Sequence, residues 1–474
     1  MLFCSKQYLL FFVAVFTVYW ALPWRRPRVW LLLAASFYFY ASWNEWLAAI
    51  VGISSLADYL LARGMERSAG AQSRRALLGL SLAMNVGLLV YFKYANFFLR
   101  SLEDAVTAMG ATASLPVLKV ILPIGISFYT FEAINYTVDV YRQRIPAEKD
   151  LAHFMLFILF FPHLVAGPIV SARDFLPQIA LAKRWDWARL NVGTQLLLLG
   201  LFKKLAIADR MSLFVDPVFA APQQHNTAAL WAATLAYALQ VYCDFSGYSD
   251  MALGSAHLLG YKLAKNFDLP YLAPNISEFW RRWHISLSSW LRDYVFFPLC
   301  GSGSSRWRID GSMFLTMTLC GLWHGANWTY LVFGAAHGLL LAGHRTFGEI
   351  CRKRPALDRL LQSIPGTSLR VAVTFTTVSL TLVLFRAQTL SDGFGVLHHL
   401  FSRHAGSGLP LATVGLWLTA LAVFAGHALA WRGWWRRPLA VLPSPLRGFG
   451  YALVLSLALV LNPGADQAFI YFQF

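Results

Sequence analysis

Long apolar runs separated by short clusters of arginine constrain this chain more than any other feature. Residues 8–22, 29–42, 46–62 and 77–99 are each apolar enough to enter a bilayer. Arg25, Arg26 and Arg28 follow the first run, and Arg63, Arg67, Arg74 and Arg75 follow the third. With 57% hydrophobic and only 13% charged residues, the chain has too little polar surface to cover a water-soluble fold. The net charge of +17 is spread between the apolar runs, not gathered into a patch, and no nucleic-acid-binding motif accompanies it. That distribution places the basic connections in the cytoplasm and the turn at Asn44 on the other side. The first run lacks a small-residue cleavage site and reads as a membrane helix rather than a removable leader. Cys4, Cys243, Cys300, Cys320 and Cys351 show neither metal-site spacing nor a disulfide framework, so no metal is expected.

Further along, residues 101–117 read as a mildly acidic external loop. The segment from Leu118 is interrupted at Pro123 and Gly125, and its second half carries Ser127, Tyr129, Glu132, Asn135, Tyr136 and Asp139. Such residues serve hydrogen bonding between helices or line a solvated cavity. Residues 151–170 are broken by Pro162 and Pro168 around His163, which favours a re-entrant shape, with His163 structural. Helices are expected over 195–206 and 228–241, the second ending at a polar run that holds Asp244 and Asp250. These carboxylates are expected to pair with an arginine such as Arg281 or Arg282 rather than to do acid/base work. Apolar segments near 369–385, 411–428 and 448–461 complete an all-α polytopic membrane protein of about eleven spans with re-entrant or interfacial pieces. Residues 1–474 read as a single domain without repeats.

Chemistry-bearing residues concentrate in 275–338. Asn275 and Glu278 have capping-box spacing, so a helix is expected from about Ile276, with Trp280, Trp283, Leu287, Trp290 and Leu291 on one broad apolar face. Arg281, Arg282, His284, Arg292 and Asp293 occupy the rest, so this helix lies at the interface or lines an enclosed cavity. Residues 313–341 are apolar enough to enter the membrane and carry His324 well inside, beside Gly321 and Gly325, which allow close approach. An intramembrane imidazole is a functional candidate by default, whereas His337 reads as packing or support.

The runs DFSGYSDMALG, NFDLPYLAPNISEFWRRWHISLSSWLRDYVFFPL and GLWHGANW, with YFKYANFF, LPIGISFYTFEAINYTVDVYR and FFPHLVAGPIV before them, resemble the membrane-bound O-acyltransferase family. The likeness spans residues 90–345 and is to the bacterial branch that acetylates exopolysaccharides such as alginate. It implies a ring of helices around a central funnel in the bacterial inner membrane, with acetyl-coenzyme A entering from the cytoplasm and no bound cofactor. It also implies a periplasmic polysaccharide acetyltransferase and the exopolysaccharide synthesis machinery as partners.

Acyl transfer to a hydroxyl needs a base, stabilisation of the developing oxyanion and shelter from water. The resemblance makes His324, the WHG histidine, the catalytic base, and His284, in RRWHISL, a second functional position that holds the nucleophile or donates to the acyl carbonyl. Trp283, Trp323 and Trp328 are candidates to wall the path, and Arg281 and Arg282 to meet the donor's phosphates or lipid headgroups. Asn266 and Tyr271 flank the turn leading in. D-alanyl transfer from a carrier protein to teichoic acid is the alternative within the same chemistry. A polysaccharide export channel, in which the histidines only line a pore, is the non-enzymatic one.

Overall fold

The computed structural model describes residues 1, 3–111, 114–120, 122–165, 167–433, 442–464 and 469. The described elements are helical: α1 (Lys6–Ala21), α2 (Arg25–Ala41), α3 (Glu45–Arg67), α4 (Ala71–Ala108), α5 (Ile126–Tyr141), α6 (Leu151–Leu159), α7 (Trp187–Ala220), α8 (Thr227–Leu258), α9 (Ile276–Arg282), α10 (Ile285–Leu291), α11 (Arg306–His324), α12 (Trp328–Arg352), α13 (Ile364–Arg386), α14 (Val414–Arg432) and α15 (Ser444–Leu461), with shorter helical pieces between them. Six of them, α3, α4, α7, α13, α14 and α15, are long and apolar enough to cross a membrane. Contacts divide the chain into two compact units, Met1–Leu197 with Met251–Ala264, and Leu198–Asp250 with Lys265–Phe474.

In the first unit, buried polar side chains tie helices together where lipid offers no hydrogen-bond partner. Asp58 on α3 accepts from Ser81 Oγ at 2.6 Å and Asn85 Nδ2 at 2.8 Å on α4, and Ser81 reaches Thr137 on α5 at 3.2 Å. The polar half of α5 holds the broken backbone after α6. Glu132 Oε1 accepts from the Val170 N–H at 2.9 Å and lies 3.0 Å from His163 Nδ1, while Asn135 Nδ2 donates to the Val170 carbonyl at 2.9 Å. Gly125 enters α5 with φ of 75°, and a Cβ there would stand 2.6 Å from the Leu164 carbonyl oxygen. These contacts support the helix-joining reading of the α5 polar residues.

Three expectations need correction. The external loop begins later, because α4 continues through a π-turn at Val90–Tyr94 to Ala108. α8 does not stop at residue 241 but carries the whole DFSGYSD run inside a 32-residue helix. Its carboxylates meet lysines rather than arginines. Lys204 Nζ sits 2.7 Å from Asp209 and 2.8 Å from Asp244, and Lys203 Nζ is 2.6 Å from Asp250. The reason is local: a π-turn over Lys203–Ala208 in α7 presents both lysines, and Gly247 lets α8 approach so closely that a Cβ would stand 2.7 Å from the Gly200 carbonyl oxygen.

In the second unit α11 and α12 pack along most of their length as a hairpin. A Cβ on Gly321 would collide with the Tyr330 carbonyl, one on Gly334 with the Met317 carbonyl, and one on Gly338 would lie 2.8 Å from Phe314 Cα. Residues 313–341 are therefore not one span. They are parts of two helices meeting at Gly325–Asn327, where the Asn327 side chain caps α12 by accepting from the Thr329 N–H at 3.0 Å.

A substitution of Gly321 by alanine forces backbone apart and is expected to cost about 1–3 kcal/mol, the usual range for overpacking. Gly311→Ala on the same helix meets nothing within 4 Å and is expected to be neutral or slightly stabilising. Thermal midpoints of the two purified variants in detergent separate these outcomes.

Candidate active site

The expected continuous helix from Ile276 is interrupted. Asn275 caps α9, its side chain accepting from the Glu278 N–H at 2.8 Å, but the helix ends at Arg282 and α10 begins only after His284. His284 itself adopts φ of 44°, a left-handed conformation that a non-glycine residue takes only when its surroundings hold it there. Asn266 supplies that hold. Its backbone carbonyl accepts from the Ile285 N–H at 2.9 Å, and its Oδ1 accepts from Ser286 Oγ at 2.9 Å and the Ser286 N–H at 3.3 Å. Its Nδ2 donates to Ser249 Oγ at 3.1 Å.

The same amide orients the histidine ring. Asn266 Oδ1 only accepts, so His284 Nδ1, at 3.1 Å, carries the proton, and the lone pair of the neutral ring lies on Nε2. Burial pushes the His284 pKa down, to about 3, which keeps the ring neutral. The unprotonated Nε2 can therefore accept a hydrogen bond from a hydroxyl but cannot donate one to a carbonyl. Phe245 packs edge-on against the ring at 4.6 Å between centroids.

His324 is the last residue of α11 and is 4% exposed. Trp323 contacts both histidines, with ring centroids 5.8 Å from His284 and 5.0 Å from His324. Behind His324, Phe385 of α13 lies 5.1 Å and Phe333 of α12 6.3 Å away, again centroid to centroid. Cys320 Sγ, one turn earlier on α11, is 4.0 Å from His324 Nε2.

Two cavities flank this group. A small one of about 20 Å³ is lined by His324, His337, Trp280, Trp283, Phe279, Phe333, Phe385 and aliphatic side chains. A larger one of about 510 Å³ is lined by Arg281, Arg292, Ser277, Ser288, Ser289, Cys320 and again Trp280, among others. Trp280 thus lines both cavities, and Cys320, beside His324, lines the arginine-bearing one.

The remaining sequence candidates fall as follows. Trp283 is buried, stacked on Phe279 and close to Tyr271, whose hydroxyl donates to the Ala238 carbonyl at 2.5 Å. Arg281 is 76% exposed at the larger cavity, while Arg282 points its Nε to Glu278 at 3.0 Å. Trp328 is 49% exposed at the start of α12 and lines neither cavity. Sequence reading passed over Cys320 and the way Trp280 is held: its indole N–H donates to His337 Nδ1 at 3.2 Å. The spacing of Cys320 and His324, one helical turn, was the only available signal for the first.

The described helices, several of them of membrane length, with two buried histidines against one tryptophan, make a polytopic membrane protein. Residues 77–385 match the membrane-bound O-acyltransferase family, and the chain belongs to it. It is an O-acyltransferase. Over 437 residues it is 39% identical to the probable alginate O-acetylase AlgI of Pseudomonas aeruginosa, covering 90% of this chain and 81% of that one. It is 36% identical to the protein of the same name from Pseudomonas putida over the whole of both chains. A peptidoglycan O-acetyltransferase of Helicobacter pylori is 35% identical over 78% of this chain and 73% of its own length.

The Asn266 geometry has a pH signature. Asn266→Asp sets a carboxylate on His284 Nδ1, which favours the imidazolium and raises the ring's pKa. Turnover of this variant is expected to fall off at higher pH on the acid side than wild type, while Asn266→Ala loses turnover at every pH. Rate profiles from pH 5 to 8 check both.

Proposed function

We propose that this protein moves an acetyl group from cytoplasmic acetyl-coenzyme A through the bacterial inner membrane for O-acetylation of an extracellular polysaccharide. The acceptor hydroxyl belongs to a periplasmic acetyltransferase or to the polymer itself, within an exopolysaccharide synthesis assembly, and residues 1–474 act as one membrane domain. The observation carrying this reading is the position of His324, buried at a helix end with Cys320 and Trp280 beside it also lining a chamber that bears Arg281 and Arg292. Guanidinium groups suit the phosphates of coenzyme A, and the apolar space beyond suits an acyl group.

In the reaction His324 takes the proton of the acceptor hydroxyl as its oxygen attacks the thioester carbonyl carbon. The carbon–sulfur bond breaks, the sulfur receives the proton held by His324, and free coenzyme A leaves. Before that step His284 Nε2 accepts from the hydroxyl and brings it in, the hydroxyl then turning its one proton to His324, with Trp323 packed against both rings. Relatives named for O-acetylation match at 35% to 39% identity over most of the chain, against 29% over about half of it for those named teichoic acid D-alanyltransferases, which favours acetyl transfer.

Release of coenzyme A by purified protein in nanodiscs, with a candidate periplasmic acceptor, tests the proposal. Wild type is expected to turn over, and His324→Ala to fall by about 10²–10⁴-fold, the usual weight of a general base, with normal membrane insertion. Equal turnover in wild type and His324→Ala removes His324 from the chemistry. Turnover only with a thioester-loaded carrier protein moves the reaction to D-alanyl transfer.

A further inference from the structure

We propose that Trp280, pinned by His337, is the residue that limits the transferred acyl group to two carbons. This inference rests on the acetyl-transfer reading and adds to it a determinant of acyl length.

Trp280 faces both cavities, the arginine-bearing chamber of about 510 Å³ and the pocket of about 20 Å³ beside His324. A space of that smaller size admits roughly one water-sized group. Apart from its two histidines and the tryptophans, its walls are hydrocarbon: Val241, Phe279, Phe333, Val378, Leu382 and Phe385. With a thioester carbonyl at His324 and the coenzyme on the arginine side, this pocket is the space beside His324 that the acyl tail enters. A methyl group fits it; a propyl tail needs the indole to move.

The indole is held against such movement. Its N–H donates to His337 Nδ1 at 3.2 Å, so the proton of the neutral His337 ring lies on Nε2 and is donated to Thr381 Oγ1 at 2.9 Å. Thr381 in turn donates to the Val378 carbonyl at 2.8 Å, which anchors the line to the backbone of α13. His337 is fully buried, and the ring planes of Trp280 and His337 cross at 85° with centroids 5.2 Å apart. Swinging the indole aside would strand a buried ring nitrogen as well as open the wall.

The test compares acetyl- and butyryl-coenzyme A as donors for wild type, Trp280→Ala and Val378→Ala, each in nanodiscs with the acceptor. Wild type is expected to prefer acetyl by more than about tenfold in kcat/KM, since a closed apolar pocket discriminates by that much or more per methylene. Both variants are expected to raise the butyryl-to-acetyl ratio by about tenfold or more, Val378→Ala doing so without touching the indole. Equal use of both donors by wild type overturns the inference. So does an unchanged ratio in Trp280→Ala with acetyl turnover retained or, where that variant fails to fold, an unchanged ratio in Val378→Ala. Absence of acetyl turnover in wild type is a different failure, that of the acetyl-transfer reading itself, and it takes this inference with it.

Discussion

Backbone contact between α11 and α12 is the constraint from which the rest of the site hangs. Three glycines, Gly321, Gly334 and Gly338, face carbonyl oxygens and Cα atoms of the opposite helix at separations no side chain would tolerate. Two helices packed so closely carry their side chains in fixed relation, so His324 at the end of α11 meets Phe333 from α12 with little freedom for either. Gly325, under the Tyr330 ring, turns the chain directly after the histidine and stops α11 there. From α12, His337 reaches Trp280 on α9 and Thr381 on α13, so four helices are registered by one glycine-lined seam.

Several of the polar side chains buried inside this protein are tied to one another in small sets. Lys204 is shared between Asp209 and Asp244, and Asp58 takes two neutral donors. Buried ion pairs contribute little net stability against apolar substitutes, but removing one member leaves an uncompensated charge at about 3–5 kcal/mol. Their weight here lies in register: consecutive lysines on the α7 π-turn meet carboxylates six residues apart on α8, a match that no shifted packing reproduces. That register also places Ser249, between the two carboxylates, where Asn266 can reach it.

Local patterns carried much of this architecture. The apolar periods, the Asn275 cap and the glycine–histidine sequence at 321–325 were readable because each depends on residues within a turn or two of one another. What escaped depends on distant partners. Nothing near His284 announces a left-handed residue; the amide that stabilises it lies 18 positions earlier, and propensity alone favours an unbroken helix. The polar run in α8 looked like a helix end because its lysine partners sit some forty residues away on α7. Likewise Trp280 read as one member of an apolar face, since its hydrogen bond goes to His337, 57 residues on.

The two histidines are held by different chemistry, and the difference bears on how a proton would travel in the proposed transfer. His284 is oriented by a neutral amide, not a carboxylate, so nothing in that network favours its charged form. The pocket at His324 is lined by aromatic and aliphatic groups and contains no carboxylate among its lining residues. A charge formed on that face of the ring meets hydrocarbon and aromatic walls, which solvate it less well than water does. Under such conditions a proton taken from the acceptor hydroxyl is best held only briefly, and the departing thiolate is the base that relieves it. Acceptance and delivery of that proton then become parts of one event, and the apolar setting that keeps water from the thioester is the same setting that drives the proton on to sulfur.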